Sequence, residues 1–155
     1  MANQDSLRLD LRQFPSSCGE RQELVVSRDK KYPYRHVAKN PNGKSLVRHY
    51  HIDGDVLPSG KPPKRCDFIL FNDTTCTAYL IELKGQFSSL DSEQMVKTEE
   101  VFRDSLSGYK LRYRFVTGKA GVKSGSFRAW EKRKPKGTVI CEAGKGPNQS
   151  YEETI

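Results

Sequence analysis

The chain has 155 residues, with 27 Lys+Arg against 19 Asp+Glu, a formal charge of +8 and a pI near 9.4. That length fits one domain, and a 10% aromatic content excludes wholesale disorder. The longest wholly apolar runs, Phe68 to Phe71 and Ala78 to Ile81, fall far short of the roughly 20 residues a membrane helix needs, so no membrane partner is expected.

Met1 to Ser6 contain no apolar leader, and the four cysteines at 18, 66, 76 and 141 form no Cys-x-x-Cys pair. These features read as a cytoplasmic protein with reduced thiols and without a structural zinc site. Cys66 and Cys76 fall at apolar runs and are expected in the core.

In chain order, residues 6–14 fit either a strand or a helical stripe, and Pro15 ends them. Ser17-x-x-Glu20 reads as a capping box and predicts a helix from Cys18 to Arg28, against the β-branched Val25 and Val26. Tyr34–Ala38 and Ser45–Ile52 flank Asn40-Pro41-Asn42-Gly43 and predict a hairpin. A loop rich in Gly and Pro runs from Asp53 to Lys64. Arg65–Phe71 and Cys76–Lys84 then predict two central strands, apolar on both faces. Ser88-Ser89-Leu90-Asp91 predicts the start of a helix to Leu106, which Gly108 ends. Tyr109–Val116 alternates as a strand, residues 117–126 form a Gly-rich loop, and Thr138–Cys141 reads as a short last strand. The fold class is α/β, with a mixed central sheet flanked by helices. Residues 1–141 form a single domain and residues 142–155 a flexible tail.

The informative chemistry is Asp67 with Glu82-Leu83-Lys84. Pairing Phe71 with Cys76 sets Asp67 opposite Leu80, with Glu82 as its diagonal neighbour, and alternation brings Lys84 to the same face. Two carboxylates and an ammonium among Ile, Leu, Phe and Ala need compensation, and a divalent cation supplies it. Mg²⁺ or Mn²⁺ suits oxygen ligands: Asp67, Glu82 and the backbone carbonyl of Leu83. Lys84 would assist an attacking water. A solvated ion pair is the alternative for Glu82 and Lys84, but it predicts polar neighbours rather than Ala78, Tyr79, Leu80, Ile81 and Leu83. His49 and His51 share a strand face but have no third ligand partner in the pattern. The segment Gly118 to Ser124 fails as a P-loop because Val122 stands where Gly is required.

Pro63-Lys64-Arg65-Cys66-Asp67 followed by Glu82-Leu83-Lys84 resembles the PD-(D/E)xK nuclease superfamily over residues 18–116, with Pro63 four residues before Asp67 rather than adjacent. The resemblance implies a restriction-endonuclease-like αβββαβ core and Mg-dependent endonuclease activity. It also implies a glutamate from an N-terminal helix, for which Glu23 and Glu20 are the candidates, and a residue on the following helix, Gln94 and then Lys97. The catalytic set so implied is Asp67, Glu82, Lys84, Glu23, Glu20 and Gln94.

Residues 109–137 hold ten basic residues and one acid, so the remainder of the chain nets −1. Lys110, Arg112 and Arg114 recur every second residue, and Lys119, Lys123, Arg128, Lys132 and Arg133 follow, with Tyr113, Phe127 and Trp130 interleaved. This pattern predicts phosphate contacts, and DNA is the expected partner. The expectation is a nuclease that hydrolyses DNA phosphodiesters by water attack, alone, as a homodimer or with a partner protein. The alternative is a catalytically inactive nucleic-acid-binding module or a subunit of a larger complex.

Overall fold

A computed structural model describes residues 7–84, 90–118 and 122–155. Eight strands make two sheets: β1 (Leu24–Arg28), β2 (Arg35–Lys39), β3 (Val47–His51), β4 (Phe68–Asn72), β5 (Thr77–Lys84), β6 (Lys110–Thr117), β7 (Val139–Ala143) and β8 (Ser150–Thr154). The helices are α1 (Glu93–Val101), α2 (Arg103–Leu106) and α3 (Gly125–Lys132). The central sheet has the order β3-β4-β5-β6-β7, antiparallel from β3 to β5 and parallel from β5 to β7. A second sheet of order β1-β2-β8 lies against one face, and the helices cover the other. The class is therefore α/β with mixed sheets.

The double-sided apolar pattern of β4 and β5 requires this layering. On the helical side, Ile69, Phe71, Ala78 and Leu80 pack with Met95 and Phe102 of the helices and with the buried Leu11 turn. On the other side, Phe68, Leu70, Tyr79 and Ile81 pack with Val25 of β1 and Ala38 of β2. The helix expected to Leu106 breaks at Phe102 into α1 and α2, and Gly108 follows at φ +84°. Ser124 caps α3 by accepting from the Phe127 N–H at 3.1 Å. The amphipathic α3, inside a stretch read only for charge, turns Phe127 and Trp130 inward.

Four expectations are corrected. Residues 18–28 form no helix. Ser17 gives its hydroxyl to His49 (2.6 Å to Nδ1) rather than capping a turn, and Val25 and Ser27 face inward from strand β1. The strands of the 34–52 segment exist but do not pair: β2 joins β1 and β8, whereas β3 joins β4. Asn42 and Gly43, both with φ near +60°, carry the chain between layers instead, and a Cβ at Gly43 would sit 2.7 Å from the Arg21 carbonyl oxygen. Residues 142–155 are not a flexible tail. They complete β7 and supply β8, and Glu153 bonds into the core. Cys66 is buried as expected, but Cys76 is exposed at φ +52° in the β4–β5 turn.

Candidate active site

The site forms at the C-terminal end of β5, on the helical side of the sheet. The four-residue β4–β5 turn falls at 73–76, one position later than expected, where the Asn72 side chain accepts from the N–H groups of Thr74 and Thr75 and Cys76 turns the chain back. Phe71 therefore pairs with Ala78, not Cys76, and Phe68 with Ile81. A two-residue slip preserves side-chain parity. The ladder ends at Phe68–Ile81, the Asp67 N–H donates to the Ile81 carbonyl oxygen at 3.0 Å, and the Asp67 carboxyl meets that of Glu82 rather than lying opposite Leu80.

Both acids are 7% exposed. The Leu83 N–H donates to Asp67 Oδ2 at 2.7 Å and fixes that carboxyl. Burial raises the Asp67 pKa, and the hydrogen bonds from Leu83 and Glu82 oppose it. Burial drives Glu82 well above the carboxylate range, and the neighbouring Asp67 charge adds to this while Lys84 opposes it. Glu82 Oε2 is buried with no hydrogen-bond partner.

Lys84 sits at the edge of the pair, half-buried. The neighbours of the Gln94 amide assign its orientation: the oxygen accepts from Lys84 Nζ at 2.8 Å, and the nitrogen donates to the Asp91 carbonyl oxygen at 3.3 Å. Thr98 links this helix to the acidic strand, donating to the Gln94 carbonyl oxygen (2.5 Å) and accepting from the Cys66 N–H (2.8 Å). Lys97, the second choice for this role, pairs instead with Glu100 on the exposed face of α1.

These groups open into a cleft of ≈ 580 Å³, whose walls include Tyr32, Asp53 and the 60–65 loop. Arg65, 8% exposed, secures that loop. It donates to the carbonyl oxygens of Pro58, Lys61 and Pro63 and to Asp53 (2.8 Å). Asp53 is thus committed to an ion pair beside the acids. Among the described residues, no group of three or more His, Cys, Asp or Glu is placed to hold a metal. The donor set is the two carboxylates with the Leu83 carbonyl. The orphaned Glu82 oxygen beside a second buried carboxyl fits a hard divalent cation, because such a cation would compensate both charges.

Asp67, Glu82, Lys84 and Gln94 are thus brought together. Glu20 and Glu23 are not. Both are exposed, and the main chain around them bonds to Val47 and Asn40. Val47 pairs with Asn72, at the opposite end of β4 from Asp67. Without the N-terminal helix, nothing carries either glutamate to the cleft.

The basic stretch is also redistributed. Lys110, Arg112 and Arg114 do alternate to one face of β6, but it is the face turned to the second sheet, and Lys110 pairs with Thr77 at the far end of β5 from Lys84. Arg114, 3% exposed, is consumed internally. It bonds Glu153 at 2.6 and 3.0 Å and the carbonyl oxygens of Tyr113 and Thr138 at 3.0 Å. It cannot reach a phosphate. Lys123 pairs with Glu131 at 3.0 Å. Arg128, Lys132 and Arg133 are exposed along α3, and none lines the cleft. Lys119 lies outside the described residues. The cleft draws its cations instead from Lys61, Lys64 and Lys84. Sequence reading passed over Tyr32, Asp53 and Lys61, and quoted Lys64 only as part of the motif before Asp67. The available signal was the Gly- and Pro-rich loop running directly into Asp67.

No protein-family model matches this chain, and neither a curated protein nor a solved structure matches it.

Proposed function

We propose that this chain is a metal-dependent endonuclease that hydrolyses DNA phosphodiester bonds by water attack. The observation that carries this reading is the buried Asp67–Glu82 pair, with an orphaned carboxylate oxygen, opening with Lys84 into a cation-lined cleft. The order β3-β4-β5-α1-β6 agrees with the core of the PD-(D/E)xK superfamily after its first helix, and it supports the same reading.

Asp67, Glu82 and the Leu83 carbonyl would hold Mg²⁺ or Mn²⁺, which when bound supplies Lewis acidity at the phosphoryl group and acidifies a water. The Leu83 N–H holds Asp67 in place for this. Lys84, steered by Gln94, presents an ammonium that orients the attacking water and offsets charge developing on the phosphate. Lys61 and Lys64 on the rim attract the substrate backbone.

A second reading, a catalytically inactive nucleic-acid-binding module or subunit, is favoured by one observation: among the described residues, the pair lacks a third acidic ligand. Incubation of supercoiled, linear, single-stranded and branched DNA with Mg²⁺ or Mn²⁺ separates the two. Metal-dependent nicking that disappears on chelation supports the nuclease. Retained binding without cleavage at millimolar metal supports the module.

A further inference from the structure

The β1–β2 connection holds a feature that the cleavage chemistry does not use. Residues 28–35 read Arg-Asp-Lys-Lys-Tyr-Pro-Tyr-Arg, four cations with a single acid. The acid is spent on the turn itself: Asp29 Oδ1 accepts from the Lys31 N–H at 2.9 Å, and the Asp29 carbonyl oxygen accepts from the Tyr32 N–H at 3.1 Å. The turn so closed leaves Lys30 and Lys31 exposed at its tip.

Arg28 and Arg35 are direct cross-strand partners. Like charges opposite one another destabilise a strand pair unless an anion lies across them. None of the four cations has an ion-pair partner among the described residues. Behind them, the Tyr32 and Tyr34 rings stack with centroids 5.4 Å apart and planes 17° apart. Tyr34 is buried and backs the half-buried Tyr32. Tyr32 belongs to two hollows at once. It forms a wall of the Asp67–Glu82 cleft, and it lines the adjoining ≈ 680 Å³ hollow of the 28–35 loop.

We propose that this loop is a single-strand-binding arm: Tyr32, braced by Tyr34, stacks on an unpaired nucleobase beside the scissile phosphate, and Arg28, Lys30 and Lys31 hold the phosphates that follow. The inference rests on the nuclease reading for the position of the scissile phosphate. It adds a substrate class, nucleic acid that is single-stranded or frayed at the cleavage point. A base inside a duplex has both faces covered by its neighbours, so an aromatic platform gains contact only from a base that has left the stack. Cations beside it track the backbone without reading sequence.

The test uses a series of single-stranded oligonucleotides with 2-aminopurine placed at successive positions, titrated in EDTA so that binding is read without cleavage. Stacking should quench the probe at one or two adjacent positions. Tyr32→Leu should abolish the quench and weaken binding roughly tenfold. That loss should vanish when the quenched position is made abasic, and it should be absent on a blunt duplex. A Tyr32→Leu loss that is equal on abasic, duplex and normal strands would overturn the proposal. Lys30→Gln with Lys31→Gln, two exposed changes that spare the fold, should flatten the salt dependence of single-strand binding by about 1.4 in log–log slope. An unchanged slope would overturn the phosphate contacts. Quenching without metal-dependent cleavage of any substrate would sink the nuclease reading and leave the arm standing. Cleavage that ignores Tyr32 and the abasic site would do the reverse.

Discussion

The central sheet buries charge on both of its faces, and the two burials differ in kind. On the face turned to the second sheet, Arg114 meets Glu153 with two hydrogen bonds, Glu153 also takes His36 at 2.7 Å, and the Arg114 guanidinium lies 5.4 Å from the Tyr79 ring centroid. Those bonds to Arg114 and His36 hold the Glu153 carboxyl below the usual range in spite of burial. On the helical face, Asp67 and Glu82 press together, both with raised pKa values, and one oxygen is left unbonded. A buried charge with partners is architecture, and here it staples β8 to β6. A buried pair of like charges without a full complement of partners is costly on its own, and sites with displaced pKa values of this kind concentrate where ligands or chemistry supply the missing partner.

The largest expected effect falls on the uncompensated side. On the proposed mechanism, Asp67→Asn should lower metal-dependent cleavage by at least about 10³-fold while leaving DNA affinity within a few-fold, because the carboxylate would act on the reaction while backbone contacts would dominate binding. Nicking rates alongside binding isotherms in EDTA check this. A variant that retains a tenth of the activity would remove Asp67 from the chemistry.

The compensated side should answer in stability instead. Arg114→Gln strands Glu153 beside His36 and should cost about 3–5 kcal/mol in urea unfolding, as breaking one partner of a buried ion pair does. The same change should leave the salt dependence of DNA binding unaltered, since Arg114 touches no solvent-facing surface. A flattened slope with intact stability would return Arg114 to the phosphate-binding role that its alternation suggested.

That reversal shows how far the sequence could be read. The pattern of β4 and β5, apolar on both faces, named the centre of the sheet, and the parity of Asp67, Glu82 and Lys84 survived a register two residues away from the expected one, because a shift of two preserves the face. Alternation along β6 was legible too, but a period of two says which residues share a face and nothing about what covers it. The cover is β8, and Glu153 lies 39 positions from Arg114 in sequence. Local signals misled where a long-range partner took the group they relied on. The Ser17 hydroxyl goes to His49, 32 residues on, so the helix that would have carried Glu20 and Glu23 does not form. Residues 29–33 of the basic turn fell between that helix and the expected strand from Tyr34, and neither pattern drew attention to them.

His49 offers a third kind of burial, a titratable group kept neutral. Its ring nitrogens bond Ser17 and Ser27 at 2.6 and 2.8 Å, its ring stacks on Phe68, and burial lowers its pKa to about 4. The unfolded chain takes up this proton near pH 6.5, whereas the folded one refuses it until about pH 4. The unfolded state therefore binds more protons in that window, and stability falls as pH drops through it, by about 3 kcal/mol at the lower end. His49→Gln should remove most of this acid-side slope. Denaturant unfolding at pH 7, 5.5 and 4 measures it, and parallel slopes for variant and parent would place the acid sensitivity elsewhere.

The smallest effect is the most discriminating, because its sign separates the two faces. Glu82 has its folded pKa raised above the ordinary 4.5. As pH rises past 4.5, the unfolded chain releases this proton first, so the folded state binds more protons and stability falls with pH. The penalty is complete above the folded pKa. Glu82→Gln cannot ionise, so in EDTA at pH 8 it should be the more stable protein, by about 1 kcal/mol or roughly 3 °C in Tm for a chain of this size. At pH 4.5 the difference should shrink toward zero, with His49 and Glu153 titrating alike in both proteins. Added Mn²⁺ should raise the Tm of the parent and leave that of Glu82→Gln nearly fixed, because ligand binding stabilises only the protein that retains the ligand set. Arg114→Gln offers the contrast, destabilised with or without metal. If Glu82→Gln were the less stable protein in EDTA at pH 8, the Glu82 carboxylate would be a compensated structural charge like Glu153, and the distinction between the two faces would fail.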